Sequence, residues 1–253
     1  MSKFKLTLIT ILITSFFISC EEKKKDNTAA TAGAFLLTRS TATGGCASGS
    51  STAISNSTLT GAATATQYSI SGCDTTSLSG LGFSSQNITS GVTGTSALSR
   101  IAANGDLFSG NDVNIEVTFS LTNASGYLEV IGQGSGNAAT IDGPAIRINP
   151  SNTQVRGTGS STLSNLTSQS TTVGQTVTYC LEFHNESPNL HVVFWPTACT
   201  AVSTADRNDY NGKEASLASS FPGKRIGFIL NNATLTSFTV RTKIGIATNL
   251  LQP

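Results

Sequence analysis

Charge is scarce in this sequence: Asp, Glu, Lys and Arg make up 11% of its 253 residues. That leaves no basic face for a nucleic acid to follow, and no nucleic-acid partner is expected. Several catalytic signatures are missing too. There is no Gly-x-Ser-x-Gly nucleophile elbow, no His-Glu-x-x-His and no Cys-x-x-Cys pair, which argues against serine hydrolases, zinc proteases and paired-thiolate zinc sites. The glycine-rich run from Gly132 to Gly136 has no Lys-Ser after it and does not lead from strand to helix, so it is no phosphate loop. No segment holds a helical period over several turns.

Ser, Thr, Gly, Ala and Asn dominate instead, and abundant Thr and Val with little charge favour strands. The first 20 residues are different. Lys3 and Lys5 precede an apolar stretch from Leu6 to Ile18, and Ser19-Cys20 ends it, as a secretory signal requires. The stretch is short for a membrane span, which needs ~20 residues, and Glu21 to Asp26 beyond it are too charged to enter lipid. Phe17-Ile18-Ser19-Cys20 resembles a bacterial lipobox, in the looser form seen in spirochaetes such as Leptospira. The resemblance implies cleavage before Cys20 and diacylglyceryl transfer to its thiol. The alternative is an ordinary signal cut nearby, leaving a free thiol. At ~0.8 kcal/mol per buried methylene, two or three acyl chains would hold the protein to a membrane. The expected organisation is therefore a signal peptide over 1–19, a lipidated tether over 20–33 and one domain over 34–253. The expected location is the cell envelope, at the outer membrane or cell surface rather than the inner membrane.

Of 15 basic residues, Lys3 and Lys5 go with the signal, and the remaining 13 face 14 acids, a net charge near −1. Four cysteines remain beyond Cys20, and an even number in an exported chain reads as two disulfides with three possible connectivities. The sequence-local pairs Cys46–Cys73 and Cys180–Cys199 are favoured, each stabilising by on the order of 3 kcal/mol.

Strand signals recur along the chain. Ala34 to Leu37 reads as a first strand, and Thr41 to Thr66 as a loop-rich stretch stapled through Cys46. Asn114 to Leu121 alternates cleanly, with Ile115, Val117, Phe119 and Leu121 on one face. Asn123 to Gly126 then reads as a turn into a hairpin partner, Tyr127 to Ile131. Ala145 to Ile148 and Thr153 to Arg156 flank a second turn. Val177 to Phe183 pairs across Asn185–Asn189 with Leu190 to Trp195. Arg225 to Leu230 and Leu235 to Arg241 close the chain. Many short strands with frequent turns mean a sandwich.

From Asp112 onward, some 150 residues resemble the concanavalin A-like, or laminin-G-like, jelly-roll sandwich. The resemblance is carried by Val173-Gly174-Gln175 before the strand ending Leu181-Glu182-Phe183, by His191 to Trp195, and by Gly223 to Phe228 before Ser237 to Val240. It implies an all-β, two-sheet fold with first and last strands side by side, placing Phe35 to Leu37 near Phe238. It also implies binding of carbohydrate or of a host matrix protein. Laminarinase-like relatives of that fold carry a Glu-x-Asp-x-x-Glu run; here Glu116, Glu129, Asp142 and Glu182 stand singly, whereas glycosidic cleavage needs two carboxyls at a set separation.

One cluster stands out for chemistry. Cys180, Glu182 and His184 share a strand face, and the hairpin brings His191 toward His184. Those side chains suit a zinc site or an acid/base pair; the plainer reading is a disulfide beside two solvent-facing imidazoles. Without paired ligands at zinc spacing, the sequence leads us to expect no metal and no cofactor. Trp195 offers a flat ring for a sugar but is better placed in a core. The polar loop with Asp206, Asp209 and Tyr210 offers ligand groups without the rhythm of a calcium loop. Glu182, His184, His191, Asp206, Asp209 and Tyr210 are thus the candidate ligand-binding residues. The expectation carried forward is a non-enzymatic, membrane-anchored binding module. The alternatives are an envelope structural protein and a glycoside-hydrolase-like enzyme.

Overall fold

In a computed structural model of the chain, the residues described are 45–52, 64–89, 92–94, 98–186, 188–202, 214–218 and 220–242. The expected signal peptide, tether and first strand at Ala34 to Leu37 lie outside them. So do Asp206, Asp209 and Tyr210.

Among the described residues, fifteen strands form two antiparallel sheets. In chain order they are β1 (Ala47–Thr52), β2 (Thr64–Ser69), β3 (Phe83–Gln86), β4 (Thr93–Gly94), β5 (Ser99–Ala103), β6 (Val113–Leu121), β7 (Tyr127–Gly134) and β8 (Ala145–Ile148). Then come β9 (Thr153–Arg156), β10 (Ser164–Thr167), β11 (Thr176–Glu186), β12 (Asn189–Trp195), β13 (Glu214–Leu217), β14 (Arg225–Asn231) and β15 (Ala233–Thr242). One sheet runs β1-β2-β15-β6-β11-β12-β13, with β4 also paired to β15; the other runs β10-β9-β8-β7-β14-β5-β3. β2 pairs with β15, and Tyr68 of β2 stacks on Phe238.

Alternation explains the core. Ile115, Val117, Phe119 and Leu121 of β6, Leu181 and Phe183 of β11, and Val192 and Phe194 of β12 all bury inward. Leu128, Val130, Ile146, Ile148, Phe228 and Leu230 meet them from the other sheet. On β15 the alternation slips: a bulge between Leu235 and Ser237 lets Leu235 and Phe238, three apart, both point inward. Both favoured disulfides are present, Cys46–Cys73 and Cys180–Cys199.

Three expectations are corrected. First, β6 and β7 are not a hairpin; they lie in opposite sheets, and the turn from Asn123 to Gly126 carries the chain across the sandwich. Two inward-facing alternating strands look the same in sequence whether they face or adjoin each other. Second, a short helix, α1 (Thr75–Gly80), follows β2, with the Asp74 side chain accepting from Ser77 N–H at 2.7 Å. It buries only Leu78, so it shows no helical period. Third, the stretch expected to be loop-rich contributes two strands, β1 and β2, paired to each other.

The glycine run from Gly132 to Gly136 has a packing reason. A Cβ on Gly132 would stand 2.5 Å from the Phe183 ring, and Gly136 turns at a φ of +100°. The loop it opens folds back over its own sheet, where Ala138 and Ile141 pack on Ala102, Ile131, Ala145 and Ile229.

Candidate functional site

Strand register gathers the histidines. His184 of β11 sits directly opposite His191 of β12, and Val193 bridges Glu182 of β11 to Glu214 of β13 in the same register. All four therefore share the outer face of their sheet, joined there by Asn114 and Glu116 of β6 and Arg241 of β15. The two imidazoles stack, with ring centroids 5.3 Å apart. His191 Nδ1 contacts Glu214 Oε1, and His184 Nε2 lies 3.9 Å from the same oxygen. The other ring nitrogen of His184, Nδ1, lies 2.9 Å from Glu182 Oε1. Asn114 Nδ2 donates to Glu182 Oε2 at 2.8 Å.

The plainer reading of solvent-facing imidazoles is corrected here. His184 is only 4% exposed and Glu182 is fully buried. A buried carboxylate needs a charged or donating partner; Asn114 donates to one oxygen of Glu182, and the His184 ring stands against the other. Beside them Glu116 Oε2 accepts the Cys199 N–H at 2.7 Å, and Arg241 reaches its other oxygen at 3.6 Å. Trp195 is in a core, as expected, though a second and smaller one. It packs with Cys180, Val193, Cys199 and Val202 on the outer face, beneath the turn that the disulfide ties down.

A cavity of about 170 Å³ opens at one end of the sandwich. Phe108, Gly110 and Asn111 come from the β5–β6 connection, Gln133 from the end of β7, and Phe221, Gly223 and Lys224 from the approach to β14. Phe108 and Gln133 are buried, whereas Gly110 and Asn111 are exposed at the rim. Gln133 stands at a φ of +53°, a left-handed conformation that is uncommon outside glycine. Its Nε2 donates to the Asn111 carbonyl, with the Phe183 carbonyl at 3.5 Å. Its Oε1 is buried and accepts no hydrogen bond from the described residues.

A third polar cluster lies on the outer face of the other sheet. Glu129, fully buried, accepts from Arg147 Nε at 2.8 Å and from Arg156 Nη2 at 2.8 Å. Arg156 Nη1 also reaches Asp142 Oδ1 at 2.7 Å. Both acids are saturated by guanidinium groups, so this cluster holds the sheet together and offers no free pair of carboxylates.

The sequence singled out Glu182, His184 and His191, and the fold brings them together. It did not single out Glu214, which lies 23 residues from His191 in the sequence. The alternation of Glu214-Ala215-Ser216-Leu217 was the available signal. The cavity residues were missed because they come from three separate connections with no local pattern.

No protein-family model matches this sequence, and no curated relative does either. Solved structures of similar shape include the carbohydrate binding module CBM66 from Bacillus subtilis, at 12% identity over 64% of this chain and 92% of that one, with a TM-score of 0.37. The exoplasmic/lumenal domain of VIP36 in its Ca2+/Man3GlcNAc-bound form matches at 10% identity over 66% of this chain and 86% of that one, TM-score 0.43. Galectin LEC-6 of Caenorhabditis elegans matches at 10% identity over 52% of this chain and 83% of that one, TM-score 0.32. Strand order and register, independently of these similarities, establish the architecture: the chain is an all-β, two-sheet antiparallel sandwich.

Proposed function

We propose that this protein is an envelope lipoprotein, anchored through Cys20, whose sandwich is a carbohydrate-binding module that takes one sugar unit in the end cavity. The observation that carries the binding reading is Gln133. An amide oxygen buried without a partner costs about 1–3 kcal/mol; Gln133 lines the cavity, and a turn of its side chain toward a hydroxyl-bearing ligand there would recover that cost. Phe108 and Phe221 supply an apolar wall for a pyranose face, while Asn111 and Lys224 supply polar contacts at the rim. At about 170 Å³ the cavity is smaller than the ~300 Å³ lower bound for drug-sized ligands, which suits a single ring. The described lining residues include no carboxylate, so cleavage of a glycosidic bond has no acid and no nucleophile there.

Support for the anchor comes from the sequence around Cys20, and two disulfides suit an oxidising compartment. Intact mass of protein taken from its native membrane is expected to give an N-terminal cysteine carrying acyl chains. Protease shaving of whole cells is expected to remove it. An unmodified N-terminus would refute the anchor, and protection from shaving would place the protein on an inner face.

For the sugar, the full chain is screened against neutral and acidic glycans, and hits are titrated by calorimetry. Gln133→Met is expected to weaken binding about fivefold, the equivalent of one hydrogen bond of about 1 kcal/mol. Phe221→Ala, removing half of the apolar wall, should weaken it further. Lys224→Met should spare neutral sugars and weaken acidic ones. Failure of every glycan to bind, or binding unchanged in both Gln133→Met and Phe221→Ala, would eliminate the cavity as the site.

A further inference from the structure

We propose that His184, His191 and Glu214 form a binding site for one zinc-class divalent cation on the outer face of the β11–β12–β13 sheet. This site is separate from the end cavity, so either can fail without the other. One ligand atom from each of the three residues lies within 4.8 Å of the others. Zinc–nitrogen and zinc–oxygen bonds of ~2.0–2.2 Å set the edges of a tetrahedron at roughly 3.3 Å. Small side-chain rotations close that gap, because the backbones are already fixed in one register.

The second observation is the arrangement behind His184. Its Nδ1 faces the Glu182 carboxylate at 2.9 Å, and Asn114 holds the far oxygen of that carboxylate at 2.8 Å. So close an approach favours the tautomer with the proton on Nδ1, which avoids setting a ring lone pair against a carboxylate oxygen. The lone pair is then on Nε2, the atom aimed at Glu214. Histidines that ligate metals are held in just this way, with the second nitrogen donating to a carboxylate that fixes both tautomer and ring orientation. Glu182 is therefore a positioning residue and not a ligand.

Donor type selects the metal. Two imidazoles and a single carboxylate suit zinc and its neighbours, whereas calcium and magnesium demand shells built of oxygen. Cys180, on the same strand as Glu182 and His184, is joined to Cys199 in a disulfide, so neither offers a thiolate. Three protein ligands leave a fourth position for water or for a ligand group. Charge points the same way: Glu182 and Glu214 bring two carboxylates to a poorly solvated face, and a divalent cation balances both.

The test uses the full chain made without a polyhistidine tag, kept oxidised and stripped with chelator. Calorimetry and elemental analysis with Zn2+ are expected to give ~1 equivalent per chain. Ca2+ and Mg2+ should not compete. Bound Co2+ should show the visible absorption of a four-coordinate site. His191→Ala and Glu214→Gln should each lose stoichiometric uptake. Glu182→Gln should keep it but weaken it by roughly 10–100-fold. Melting without metal establishes that each variant folds, and Zn2+ should raise the melting temperature of the parent protein but not of His191→Ala. Absence of Zn2+ uptake by the parent protein overturns the proposal, as does uptake that survives in a His184→Ala/His191→Ala double variant. Equal zinc affinity in Glu182→Gln and the parent protein overturns the role given to Glu182.

Discussion

Phe238→Ala is expected to lower the unfolding free energy by about 4 kcal/mol, near the middle of the range for removing a buried phenylalanine ring. The ring is 1% exposed and sits where both sheets meet. It stacks on Tyr68 of its own sheet at a centroid distance of 4.7 Å. From the opposite sheet it meets Phe228 at 4.7 Å and Phe83 edge-on at 5.6 Å. Alanine would leave those three rings facing a void that rigid strands cannot collapse into. β15 also carries hydrogen bonds to β2 on one side and β6 on the other, so it cannot shift to fill the space. In a domain of this size each kcal/mol lowers the melting temperature by ~2–4 °C, so the variant should melt about 8–16 °C lower. Phe238→Leu keeps most of the volume and should lose far less. Chemical denaturation with both disulfides intact checks the figure. A loss under about 1 kcal/mol for the alanine variant would mean that the aromatic cluster does not join the sheets as described.

How much of this was legible beforehand depends on the range of the interaction. The β11–β12 hairpin was readable because only a short polar stretch separates its apolar strands, though pairing runs on to Glu186 and Asn189, inside the stretch read as the turn; register alone sets His184 against His191. The disulfides were readable because each joins cysteines close in sequence. The partner of β7 was not, since alternation reports which face is buried and says nothing of which sheet the strand joins. The Leu235–Ser237 bulge hid for a related reason: an apolar pair three apart looks like a broken strand until the extra residue is seen. Glu214 completes the histidine site from 23 residues further along the chain, and no spacing rule crosses such a gap. Gln133 is the clearest case. Nothing marks a glutamine in a glycine-rich strand end as buried, because its burial comes from Phe183 and from the connections around Asn111 and Gly223.

Glu129→Gln is expected to destabilise the protein by about 3 kcal/mol, the low end of the cost of removing one partner from a buried ion pair. Glu129 is fully buried between two guanidinium groups, those of Arg147 and Arg156. Glutamine keeps the shape and loses the charge, leaving both cations without their shared counter-ion. The loss falls at the low end because each arginine has another partner. Arg147 lies over the Tyr127 ring at 4.1 Å and is partly exposed, and Arg156 keeps Asp142. A double-mutant cycle with Arg156→Met should therefore show a coupling well above that of an exposed pair, which contributes about 1 kcal/mol at most. The same network makes stability sensitive to acid. Burial disfavours the Asp142 carboxylate, but the Arg156 guanidinium and the Gly159 N–H outweigh it and hold its pKa below the ordinary value of 3.8. A carboxyl depressed in this way contributes stability above the ordinary aspartate range, and that contribution disappears as pH falls through the lower folded value. Asp142→Asn should thus lower the neutral plateau, by less than Glu129→Gln does, and flatten the acid limb, because its curve and the parent's converge at low pH. An acid limb unchanged in Asp142→Asn would assign the sensitivity to other carboxylates. Glu129 and Gln133 lie on the same strand, and the arginine clamp at one end of β7 fixes the backbone that presents Gln133 to the cavity at the other.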